Sequence, residues 1–185
     1  MPPICRTISI VAFRGDRSRS FGTAFQTKLD NEKRGRHGPT TLECLLFAGH
    51  TGVSTNDGTT IYGFNPDGTG VPMWQLLVRL KSGESFPGLV LDDTMVFAAA
   101  RKRGLTVLSF EVILPEPQFQ RFEANLDQER KKSQYEYGFP NGDGDCNCTT
   151  WLERLGLPLL TGRMDELARL PGIATHPSRR FGECV

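Results

Sequence analysis

Asp145-Cys146-Asn147-Cys148-Thr149-Thr150-Trp151-Leu152 leaves a loop rich in Gly, Asn and Asp (Gly138 to Asp145) and enters a short helix, which the sequence predicts from Cys148 to Leu155 with its end at Gly156. Trp151, Leu152 and Leu155 pack inward from it. Cys148 therefore lies at a loop-to-helix junction, where unpaired N–H groups and the positive end of the helix dipole lower a thiol's pKa and favour the thiolate a nucleophile needs. The competing reading of a cysteine beside apolar residues is a small buried hydrophobe. Cys146 is the rival nucleophile. Cys148 is favoured over it because an aromatic residue follows three positions on and no further loop separates it from the helix. A disulfide between the two is strained by the one-residue gap.

A cysteine nucleophile needs a base, and the chain has 3 histidines. His37 lies in a charged loop and His176 in a tail rich in Pro and Arg, where a solvated ring is the default. His50 stands apart in Phe47-Ala48-Gly49-His50-Thr51-Gly52-Val53-Ser54, at the start of a predicted strand and between glycines that admit other backbone or a substrate. A lone histidine on a strand is more often structural than catalytic. The presence of both a candidate base and a candidate thiol strengthens each assignment.

Outward from these stretches, Thr7 to Phe13 alternates and is rich in β-branched residues, so it is read as the opening strand. Arg14 to Pro39 is crowded with Arg, Lys, Gly and Ser and is read as a solvated loop. Leu42 to Ser54 contains a second extended run. Asn56-Asp57-Gly58 then supplies a hairpin turn before Thr59 to Phe64, and Asn65-Pro66-Asp67-Gly68 a second turn. Leu76 to Leu80 and Leu105 to Leu114 are further strand candidates, with a helical stretch around Asp92 to Arg103 between them. Phe119, Phe122 and Leu126 recur at helical spacing within Pro115 to Ser133 and belong to the core. Arg163 to Leu170 is a last helix candidate. The expected fold is α+β: an antiparallel sheet of four to six strands on a few helices, in one domain over residues 1–185.

Gly49-His50-Thr51-Gly52-Val53-Ser54, then Thr60-Ile61-Tyr62-Gly63-Phe64, then far downstream Asn147-Cys148-Thr149-Thr150-Trp151, resembles the circularly permuted NlpC/P60 (papain-like) cysteine hydrolases. The cysteine motif is also similar to that of lecithin:retinol acyltransferase-like proteins and PPPDE isopeptidases. The resemblance covers about residues 44 to 160. It implies a papain-like fold and acyl transfer at Cys148 with His50 as base. Asp145-Cys146 is similar to the Asp-Cys of unpermuted relatives, which keeps Cys146 in view. The resemblance also implies a third polar residue on the strand after the histidine, to orient the imidazole, yet that strand is read as carrying no Glu, Asp, His or Asn, with Asn65 just beyond it. Tyr62 is the first choice if it lies nearly opposite His50, with Asn65 or a backbone carbonyl behind it. Tyr137 stands where such enzymes often have a tyrosine near the oxyanion, and Asn147 is a supporting residue. For Tyr137 a packing role is the bland alternative.

Charge and composition bound the partners. The chain has 185 residues with 22 Lys and Arg against 21 Asp and Glu, so no net field draws it to nucleic acid or an anionic membrane. Leu45 to Ala48 and Met95 to Ala100 are the longest apolar runs and fall far short of the roughly 18 residues that span a bilayer. The first eleven residues do not read as an export signal. Five cysteines at irregular spacing fit neither a disulfide framework nor a zinc ribbon, so reduced thiols, no metal and no cofactor are expected.

The leading functional expectation is a thiol peptidase or amidase with a peptide or protein substrate, made in the cytoplasm. A bacterial effector or toxin, with a cognate inhibitor or secretion-system partner and a signal-independent route into a target cell, suits such a chain. An acyltransferase or lipid acyl hydrolase with the same dyad is the alternative. A non-catalytic interaction module is the reading from another class.

Overall fold

Ile8, Ser9, Ile10, Val11 and Phe13 are all buried along one strand, which requires that both of its faces be covered. In the computed structural model, which describes residues 4–55, 58–139, 146–157 and 180–181, this strand, β1 (Cys5–Arg14), has a neighbour on each side. The elements that follow are α1 (Arg19–Lys33), α2 (Thr41–Ala48), β2 (Gly49–Ser54), β3 (Tyr62–Pro66), α3 (Met73–Lys81), β4 (Phe86–Asp92) and α4 (Thr94–Lys102). Then come β5 (Val107–Pro115), α5 (Glu116–Lys131), β6 (Glu136–Tyr137), α6 (Trp151–Arg154) and β7 (Arg180–Phe181). The sheet order is β6-β4-β3-β2-β1-β5-β7. Six of these strands pair antiparallel, and the two-residue β7 runs parallel to β5. The protein is α+β.

Strand alternation sorts β1 into two core layers. Ile8 and Ile10 join Phe119, Phe122 and Leu126 of α5 and Trp151, Leu152 and Leu155 around α6. Val11 and Phe13 face the other way, toward Phe21 of α1, Leu46 of α2 and Val96, Phe97 and Ala100 of α4. The sheet is thus a middle layer. Each fully buried large side chain in these layers is worth about 1.5–3 kcal/mol over leaving it exposed.

Several local expectations are corrected. The Arg14 to Pro39 stretch is mostly helix α1, because Phe21 and Phe25, one turn apart, both bury, and Phe25 stacks on Phe47 with centroids 4.5 Å apart. Its polar residues are the solvated side of an amphipathic element. The extended run expected within Leu42 to Ser54 is present as β2 in its second half, while the first half is α2, opened by a reciprocal capping box between Thr40 and Glu43. Leu76 to Leu80 lies within α3, where Leu76 and Leu80 bury one turn apart. Phe86–Asp92 is a strand not anticipated from the sequence. The helix expected near Asp92 to Arg103 and the one in Pro115 to Ser133 are present as α4 and α5.

Cys5 is disulfide-bonded, whereas Cys44, Cys146 and Cys148 are free thiols. This corrects the all-reduced expectation, because spacing along the chain does not say which cysteines the fold brings together. The Arg163 to Leu170 helix, His176, Asp145 and most of the Asn56-Asp57-Gly58 turn lie outside the described residues. Among the described residues no helix is long and apolar enough to cross a membrane.

Candidate functional site

His50 owes its position to the glycine before it. Gly49 has φ +91°, a left-handed value that favours glycine, and a Cβ there would meet Gly15 N at 2.8 Å and Phe13 O at 2.9 Å. α2 therefore turns directly into β2, with His50 paired to Phe13. The imidazole is buried, 1% exposed, against Phe97 at 5.8 Å between centroids.

β2 and β3 are paired at Gly52↔Gly63 and Val53↔Tyr62. Tyr62 therefore faces Val53 and shares its side of the sheet, away from His50. Its ring packs on the α5 side under the guanidinium of Arg130, 4.2 Å from the centroid. The expectation that Tyr62 orients His50 is thus corrected. The reason is the connection: residues 55–61 do not belong to either strand, so β3 begins at Tyr62 and its register differs from the one assumed. Continued by two residues, the same register sets Asn65 opposite His50.

The group that engages His50 is Asp93, which the sequence did not single out. His50 Nε2 lies 2.8 Å from Asp93 Oδ2, and Asn65 Nδ2 donates to that same oxygen at 2.8 Å. Asp93 stands at the N-cap position of α4 yet makes no side-chain cap bond. Asp92 satisfies the helix start instead: its Oδ1 accepts from Thr94 N at 3.0 Å and from Thr94 Oγ1 at 2.6 Å. Asp93 is freed to turn inward and is 4% exposed. Gly63 makes the room. A Cβ there would lie 2.1 Å from Asp93 Oδ2 and 2.3 Å from His50 Nε2. Two adjacent acids before a helix, where one suffices to cap it, were the available signal.

Cys148 is carried on a turn closed by its own neighbours. Asn147 Oδ1 accepts from Thr149 N at 2.9 Å and Thr150 N at 3.0 Å, and Thr150 Oγ1 accepts from Asn147 N at 2.9 Å. Asn147, expected as a supporting residue, is the cap of this turn. The hydroxyls of Thr51 and Thr149 meet at 3.2 Å and tie the turn to β2, while Trp151 stacks on Phe64 at 5.5 Å. Removing such a buried ring costs about 3–5 kcal/mol, so the turn is firmly seated. Cys146 is 5% exposed within the core and is bridged through its backbone to β6, with Gly138 N donating to Cys146 O at 3.0 Å. Its side chain belongs to the core cluster that holds Trp151 and Leu152.

The His50 imidazole and the Cys148 thiol are near enough for each to shift the other's protonation. With Nε2 taken by Asp93, Nδ1 is the ring nitrogen left for the sulfur. Burial is the largest influence on His50 and opposes its charge, but the Asp93 hydrogen bond, the Cys148 hydrogen bond and the charges of both partners overcome it. The imidazole is pushed up from 6.5 to about 9. Burial is also the largest influence on Cys148 and favours the neutral thiol, yet the hydrogen bond and charge of His50, the Thr51 N–H and the Thr149 hydroxyl hold it below its usual 9.0. The two shifts run in opposite directions, and both favour a thiolate–imidazolium pair over the neutral one. Cys44 shows what burial does alone: its thiol rises to about 11.

Tyr137 also reaches the site. Burial first, then the negative charges of Cys148 and Cys44 and a hydrogen bond with the Cys148 sulfur, push its phenol well above the usual 10, against a smaller opposing pull from the Cys148 N–H. It remains a proton donor. Of the residues expected from the sequence, the fold thus gathers Cys148, His50, Tyr137, Asn147 and Asn65, and leaves out Tyr62. His37 is exposed on the α1–α2 connection. Among the described residues no group of three or more His, Cys, Asp and Glu side chains is arranged to hold a metal ion.

No protein-family model matches this chain, and no curated protein or solved structure matches it either.

Proposed function

We propose that this protein is a thiol hydrolase of papain-like architecture that cleaves an amide or peptide bond through a Cys148 acyl-enzyme, with His50 as the base and Asp93 as its orienting carboxylate. The observation that carries the reading is the buried His50 imidazole with Nε2 2.8 Å from Asp93 Oδ2 and the Cys148 thiol near enough for each to shift the other's protonation. A nucleophile, a base and an orienter in that sequence make up a catalytic triad. The order of elements also supports it, with the histidine strand first and the turn bearing cysteine far downstream.

The chemistry follows from these positions. The Cys148 thiolate attacks the substrate carbonyl carbon, and the electron pair moves to oxygen. The Tyr137 hydroxyl, held beside the sulfur and the Cys148 N–H, donates to that developing oxyanion. His50 gives its Nδ1 proton to the leaving nitrogen as the C–N bond breaks, leaving a thioester. Neutral His50 then takes a proton from water, which attacks the thioester; the C–S bond breaks, releasing the acid and the Cys148 thiolate beside the re-formed imidazolium. Throughout, Asp93 fixes the Nε2–H tautomer and stabilises the imidazolium.

The test is limited alkylation with iodoacetamide near neutral pH, read by peptide mass spectrometry. Cys148 is expected to react well before Cys44 and Cys146, because it alone among these free thiols has an imidazolium partner. First reaction at Cys146, or equal labelling of the three, would sink the proposal.

A further inference from the structure

The structure assigns a positioning role to Asn65: its amide clamps the Asp93 carboxylate onto His50, and Gly63 beside it is the void that lets the clamp close. The inference rests on the triad reading above and adds a residue that acts on the orienter instead of on the histidine.

The geometry is specific. Asn65 is 3% exposed, and its Nδ2 donates at 2.8 Å to the Asp93 oxygen that also accepts from His50. The same Nδ2 lies 3.3 Å from Gly63 O. Two acceptors on one nitrogen settle the amide's orientation, since reversing it would press Oδ1 against a carboxylate and a carbonyl. In this orientation Oδ1 is buried without a hydrogen-bond partner among the described residues. A buried unpartnered acceptor is destabilising, and a residue selected for stability alone would not retain it. The donor half of the amide is what the site uses.

The clamp is needed because no cap bond restrains the Asp93 side chain. Two charge-assisted donors on one oxygen, His50 from β2 and Asn65 from β3, leave the carboxylate a single low-energy rotamer. Besides Asp93, the titratable group acting on His50 is Cys148, which in turn interacts with Tyr137. The hydrogen bonds of the Asn65 amide go to Asp93 and Gly63 O, so its effect on the thiol passes through Asp93.

Asn65→Leu keeps the branched four-atom outline in a bulkier form, removes the donor and removes the orphan acceptor. The readouts, which need no substrate, are the pH dependence of Cys148 alkylation by iodoacetamide, the NMR titration of His50 and the melting temperature. With Asp93 released, the acidic limb of the alkylation profile is expected to move up by about one pH unit and the His50 titration to move down, with a rate loss near neutral pH of about tenfold. The melting temperature is expected to stay within a few degrees. Unchanged profiles in Asn65→Leu alongside shifted ones in Asp93→Asn would overturn the role of Asn65 and leave the triad standing. Unchanged profiles in Asp93→Asn would overturn the triad itself. Where Asn65→Leu does not fold, Asn65→Ala is read in the same way, and failure of both to fold would make Asn65 a core residue and overturn the clamp.

Discussion

Asp16 and Asp93 both end a strand region, both precede a helix and both are buried, at 7% and 4% exposure, yet they do different work. Asp16 uses its oxygens at once on the fold. Oδ1 accepts from Ser18 N at 2.9 Å at the entry to α1, and Oδ2 accepts from Arg103 Nε at 2.5 Å, with that guanidinium lying over Phe21 at 3.8 Å. Asp93 leaves the start of α4 to Asp92 and offers Oδ2 to His50 and Asn65. A buried carboxylate that caps and pairs with arginine is a strut. One whose capping duty is done by its neighbour, and which faces a histidine instead of a permanent cation, is available for chemistry.

The sharpest way to break this contrast is Asp93→Asn. The fold is expected to persist, because the amide keeps the shape and Asp92 still caps α4. Turnover of a peptide or amide substrate is expected to fall by about a hundredfold or more, since an amide neither fixes the Nε2–H tautomer nor stabilises the imidazolium. The alkaline limb of the pH profile, set by His50 at about 9 in the unaltered protein, should move to lower pH. Near-normal turnover with a large loss of melting temperature would make Asp93 a second strut.

Asp16→Asn should do the reverse. Activity is retained, and the melting temperature drops by a few degrees, the scale of the roughly 1 kcal/mol carried by a hydrogen bond at a helix start. The pH dependence has a definite sign. The Ser18 hydrogen bonds and Arg103 hold the Asp16 carboxyl down from 3.8 to about 2, so its stabilisation is fully present above pH 3.8 and is lost as pH falls through about 2. Melts of the two proteins should differ at neutral pH and converge near pH 2. A constant gap down to pH 2 would show that Asp16 acts through packing.

The smallest effect is expected at Tyr62→Phe. Its hydroxyl faces away from His50 and the ring's packing under Arg130 is kept, so both turnover and melting temperature should stay unchanged within error. A tenfold loss of turnover would return Tyr62 to the site and contradict the Val53↔Tyr62 register.

Much of this site was legible without a fold. Cys148 and Asn147 announced themselves because the turn that carries them is closed by hydrogen bonds within three residues. His50 was legible through its flanking glycines, and Tyr137 through the resemblance to papain-like enzymes. α5 was legible because Phe119, Phe122 and Leu126 repeat at helical spacing. α1 was not, because polar residues surround Phe21 and Phe25, and only the stacking of Phe25 on Phe47 shows which side buries.

The sequence by itself determined whatever depends on near neighbours: the α+β class, the thiol and histidine now proposed to react, the β2–β3 hairpin and the cap that shapes the Cys148 turn. Tertiary structure decided the rest. The His50–Asp93 bond spans 43 residues, the Asn65–Asp93 bond 28, and the Thr51–Thr149 contact that seats the nucleophile against β2 spans 98. No local pattern encodes such pairings. They depend on strand register, where one residue of slip sends a side chain to the opposite face, and on which of two adjacent aspartates the helix start consumes. Register placed Tyr62 away from His50, and the cap at Asp92 turned Asp93 toward it.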